Sequence, residues 1–88
     1  MPCYVVTFEP TVPASAATTT DRLKALGSYC PINASSWAIV TEKTAVQLRD
    51  YLSQDNAGAR IFVVRSGTEA AWINTYGDKN SEWLKKYL

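Results

Sequence analysis

Three strand-like segments of this chain are apolar at both odd and even positions. In Cys3-Tyr4-Val5-Val6-Thr7-Phe8, Tyr4, Val6 and Phe8 alternate with Cys3 and Val5. Trp37 and Ile39 alternate with Ala38 and Val40, and Ile61 and Val63 with Phe62 and Val64. Successive strand residues point to opposite faces, so a sheet built from these segments has no face suited to water. Both faces must be covered. The chain has 88 residues, room for a single domain spanning residues 1–88. A domain of that size buries only about 60% of its unfolded surface, which leaves little material for a second covering layer.

The elements follow from local signals. Cys3 to Phe8 is β-branched and aromatic and runs into Glu9-Pro10, a strand followed by a loop at Thr11–Ser15. Ala16 to Leu26 favours helix, with Thr20 or Asp21 as an alternative cap after the threonine run, and Gly27 ends it. Ser28–Asn33 and Ser36–Thr41 are strands joined by a tight Asn33-Ala34-Ser35 turn, and Pro31 confines the first to an edge or an irregular stretch. Thr41 or Lys43-Thr44 opens a second helix, with Thr44 and Gln47 at the spacing of a capping box and an Ala45, Leu48, Leu52 stripe, ended by Asp55-Asn56-Ala57-Gly58. Arg60–Arg65 is a strand, Ser66-Gly67-Thr68 a turn, and Ala70–Asn74 a shorter strand. Asn80 or Ser81 then caps a terminal helix over Glu82–Leu88.

Strands and helices in the order βαββαβ predict an α+β fold. The expected architecture is a ferredoxin-like sandwich with both main helices on one sheet face, an extra C-terminal strand and a short terminal helix. The second face then needs either the last strand and tail or a second copy of the sheet. Leaving it wet is costly at about 25 cal/mol per Å², so a homodimer through that face is expected. Ala70–Ile73 is too short to stand alone as an edge strand, and the last strand is expected to join the partner's sheet edge. Trp72 and Trp83 are the expected interface residues.

Histidine is absent, which excludes Ser-His-Asp and Cys-His catalysis and imidazole acid–base chemistry. Cys3 and Cys30 form no CxxC motif and read as two small buried thiols, with a disulfide as the alternative. Nine Lys+Arg against eight Asp+Glu leave a net charge of +1, so no general field for nucleic acid is built in. Arg22, Lys24, Arg60 and Arg65 are the candidate phosphate contacts, or else charges on a solvated face. No apolar run approaches the ~20 residues of a membrane span and no leader pattern is evident, so a cytoplasmic location without membrane contact is expected. Glu9, at a strand end, reads either as a metal ligand or as a solvated carboxylate, with Asp21 able to join it only if the loop folds back.

Several stretches carry a family likeness. Tyr4-Val5-Val6-Thr7-Phe8-Glu9-Pro10 and Trp37-Ala38-Ile39-Val40-Thr41 resemble the first and third strands of the CRISPR-associated adaptation nucleases, the second Cas protein. Ser36–Val40, the Ala45, Arg49, Asp50, Leu52 segment, Glu69-Ala70-Ala71-Trp72 and Ser81-Glu82-Trp83-Leu84-Lys85 resemble the small SinR-like bacterial and phage proteins of the same superfamily. That superfamily also holds the virulence-associated D proteins. The resemblance implies a dimer whose fifth strand closes against the partner. It further implies a metal-dependent endonuclease acting on RNA or DNA, with a strand-end carboxylate on Mg²⁺ at the dimer axis. Glu9 falls on the family's Asp position and would be both the catalytic and the metal residue, although it is one methylene longer and precedes Pro10. A catalytically silent homodimeric binding or scaffold module is the alternative.

Overall fold

The computed structural model describes residues 2–11, 13–56, 59–67 and 69–88. Its elements are β1 (Cys3–Pro10), α1 (Pro13–Ala25), β2 (Ser28–Asn33), β3 (Ser36–Val40), α2 (Ala45–Ser53), β4 (Ala59–Arg65) and α3 (Asp78–Tyr87). The four strands form one antiparallel sheet in the order β2-β3-β1-β4. β1 and β2 are therefore parallel with β3 between them, and β3 and β4 are parallel with β1 between them. Two split β-α-β units interleave.

Local chemistry accounts for most boundaries. Asn33 Oδ1 accepts from the Ser35 amide at 3.0 Å, closing the β2–β3 turn. Thr44 Oγ1 accepts from the Gln47 amide at 3.2 Å while Gln47 Oε1 accepts from the Thr44 amide at 3.0 Å, the reciprocal cap its spacing foretold. Gly27 takes φ 115°, a conformation other residues rarely adopt, where α1 gives way to β2. The proposed helix end at Ala57-Gly58, Thr68 of the following turn and Val12 of the first loop lie outside the described residues.

Three expectations are corrected. α1 begins at Pro13 rather than near Ala16, because a proline suits a first helical turn, where its missing amide would have no partner. The threonine run does not delay the start. Thr18, Thr19 and Thr20 donate to the carbonyls of Ala14, Ser15 and Ala16 at 3.0, 2.8 and 3.1 Å, so their hydroxyls are satisfied inside the helix. The extra C-terminal strand is not found: no strand forms among the described residues of 69–77. Asn74 has φ 56°, which breaks the extended run, and Trp72 packs onto the chain's own core. The terminal helix starts earlier, at Asp78 after Gly77, with Asp78 in its first turn and Lys85 and Lys86 in its last, matching the helix dipole.

Both faces of the sheet carry core. On one face Tyr4, Val6 and Phe8 of β1 and Trp37 and Ile39 of β3 pack with Leu23 of α1 and Leu48 and Leu52 of α2. On the other, Cys3, Cys30, Ala38 and Val40 make a floor of small residues on which Leu84 of α3 sits, flanked by Trp72, Trp83, Tyr87 and Leu88. The chain thus covers part of its second face with its own tail helix.

Candidate functional site

The second face is divided. One register row crosses all four strands as Cys30, Ala38, Val5 and Val64. α3 buries Cys30 and Ala38, whereas Val5 is half-buried and Val64 is 46% exposed. In the next row Thr7 is opposite Phe62, which is 64% exposed. The β1–β4 half of this face is therefore bare and apolar.

Glu9 lies at the margin of that half, directly opposite Arg60 in the β1–β4 register. The Arg60 guanidinium donates to the Glu9 carboxylate, an ion pair in the open. The pair borders an open cleft of about 210 Å³ lined by Thr7, Glu9, Arg60, Ile61 and Phe62. A magnesium ion asks for about six oxygen ligands in near-octahedral array. Among the described residues no three His, Cys, Asp or Glu groups gather to hold a metal. Asp21 is exposed on α1. One chain thus offers a single carboxylate at this point, already facing a cation.

The candidate phosphate contacts do not converge. Arg22 is held internally: its Nη1 donates to the carbonyls of Tyr51 (3.0 Å), Leu52 (3.3 Å) and Gln54 at the end of α2. Lys24 is exposed on α1. Arg60 points to the bare face, and Arg65, opposite Tyr4 in the register, to the helix-covered one. Tyr4 and Trp37 are buried, and Tyr29 stacks on Trp37 with centroids 5.3 Å apart, so these aromatics serve the fold.

Trp72 and Trp83, the latter on α3, both pack against the core around Leu84, and Trp83 Nε1 donates to Ser28 Oγ at 3.0 Å. The two cysteines are free and buried. Asn80 Nδ2 donates to Cys30 Sγ at 3.5 Å and to the Pro31 carbonyl at 3.2 Å. Burial pushes both thiols above the ordinary value of 9.0. A raised thiol pKa favours the protonated form in the folded state, so the unfolded chain releases its protons first as pH rises. Stability is therefore expected to hold below pH 9 and to fall above it, read as urea midpoints from pH 7 to 10. A Cys3→Ala/Cys30→Ala chain should lose part of that slope.

Two features escaped sequence reasoning. The Arg22 clamp has no local signal, since its carbonyl partners lie about thirty residues away. Asn56 is buried and donates to Thr19 Oγ1 at 2.9 Å and to the Leu52 carbonyl at 3.0 Å, tying α1 to the end of α2. Its amide type after a helix was visible, but its partner was not.

The fold and site define an α+β protein whose antiparallel sheet has one bare apolar half-face. No family model, no curated protein and no solved structure matches this chain. No helix among the described residues is long and apolar enough to cross a membrane.

Proposed function

We propose that this chain is a homodimeric binding module of the ferredoxin-like class, without catalytic activity, that works through the uncovered β1–β4 half of its sheet. The interleaved split β-α-β units support the fold class. The observation that carries the function is the exposed cluster of Phe62 and Val64 beside Val5 on a face otherwise built as core. Two free, buried thiols accord with a reducing compartment such as the cytoplasm. The Glu9–Arg60 pair supports a silent module over an endonuclease, because the guanidinium satisfies the carboxylate the family would give to Mg²⁺.

Sedimentation of the wild-type chain at rising concentration tests the dimer, and single- and double-stranded oligonucleotides with Mg²⁺ test the silence. A dimer that leaves RNA and DNA intact supports the reading. Cleavage that EDTA or Glu9→Ala abolishes would replace it with the metal-dependent endonuclease. A chain that stays monomeric would remove the dimeric part.

A further inference from the structure

The sheet has two edges, and they are built differently. At β2, Pro31 removes a backbone donor, the register shifts between Pro31 and Asn33, and the Asn80 side chain donates to the Pro31 carbonyl. Those are the devices by which proteins keep an edge from pairing with another chain. β4 has none of them. Its ladder with β1 runs unbroken from Tyr4↔Arg65 to Pro10↔Ala59, and its centre, Ile61-Phe62-Val63-Val64, is apolar without charge or proline. Among the described residues no strand pairs with its outer side.

Both flanks of this open edge are hollow. On the bare face lies the cleft at Thr7, Glu9, Arg60 and Phe62, and on the helix side a groove of about 240 Å³ runs between Ile61 and Val63 of β4 and Ala45, Val46 and Arg49 of α2. Val46 is 56% exposed where it overhangs that groove. Successive residues of an added strand would point alternately into one hollow and the other.

We propose that a second copy of this chain occupies the edge, β4 pairing antiparallel with β4 about a two-fold axis through Phe62. This rests on the dimeric reading above and names its geometry. Completeness of pairing selects the register. Centred on Phe62, the seven residues Ala59–Arg65 pair completely: Phe62 with Phe62, Ile61 with Val63, Arg60 with Val64, Ala59 with Arg65. Centring on Val63 instead pairs only Ile61–Arg65 within the strand and sets Arg60 against Ser66, beyond its end. Antiparallel pairing of the same edge keeps both sheets the same way up, so facing residues share a face and the two bare faces stay on one side. In the Phe62-centred dimer the two bare half-faces run together, and each Val46 comes to lie over its groove beside the other copy.

Sedimentation combined with amide hydrogen exchange on the full chain tests the geometry. The expected result is a wild-type dimer in which amides of Ala59–Arg65 gain protection as concentration rises. Phe62→Lys, at a residue exposed in the single chain, should weaken association at least about a hundredfold, because two lysines then meet at the axis. Ile73→Lys, at a residue 84% exposed away from this edge, should not. A wild-type dimer that survives Phe62→Lys, or whose β4 amides ignore concentration, would overturn edge pairing while leaving the dimeric reading intact. A monomeric wild type would overturn both.

Discussion

Replacing Leu84 with alanine is expected to destabilise the protein by about 2–5 kcal/mol, the range for truncating a buried leucine. Leu84 is 1% exposed and is the one fully buried side chain of α3, seated on Cys3, Cys30, Ala38 and Val40. The floor residues beneath it are small and cannot reach up into the space left. For a domain of this length the loss corresponds to a fall in melting temperature of roughly 10 °C or more. α3 also shields both thiols, so the same variant should react with a thiol reagent under conditions where the wild-type chain does not. Lys85→Ala, one residue on and exposed, should change melting by no more than about 0.5 kcal/mol. Unchanged melting with protected thiols in Leu84→Ala would mean that α3 does not hold the second face.

The next largest effect is expected at Arg22. The last carbonyls of any helix lack partners within it, and here one guanidinium nitrogen serves three carbonyls at the end of α2. The Tyr51 hydroxyl answers by donating to the Arg22 carbonyl at 3.4 Å, so the clamp fastens α1 to α2 from both sides. A hydrogen bond to a charged group contributes about 1.5–3 kcal/mol when buried. Arg22 is only half-buried and water would take up some of the freed carbonyls, so Arg22→Ala should cost about 2–3 kcal/mol in chemical denaturation. Arg22→Lys should recover part of this, keeping the charge at the helix end but losing the fork. An Arg22→Ala chain as stable as wild type would free this arginine for the phosphate role its sequence suggested.

What could be read in advance was what depends on neighbours in sequence. The Asn33–Ser35 turn and the Thr44–Gln47 cap are each settled within four residues, and both appear where their chemistry placed them. The demand that both sheet faces be covered was also legible, because apolar residues at both parities need no partner to be recognised. Which part of the chain supplies the cover was not. Ala70–Asn74 has the composition of a strand, yet a left-handed Asn74 and the packing of Trp72 against the core around Leu84 override it. Glu9 stood out as a strand-end carboxylate, but Arg60, 51 residues on, is what faces it. Pairings of that kind are fixed by sheet register, which a single sequence does not print.

The contrast between the two sheet edges sets a limit on assembly. A subunit with two open edges can add copies at both sides and grow without end, whereas one open edge and one sealed edge give a valence of one. Pro31, the shifted register and Asn80 withdraw β2 from exchange, leaving β4 as the only side at which a strand can be added among the described residues. Association through β4 then consumes the sole binding edge of both copies and ends there, in a closed pair rather than a fibre. Restoring a donor with Pro31→Thr and removing the Asn80 plug would raise the valence to two, and the same apolar strand that closes a dimer would then begin a filament.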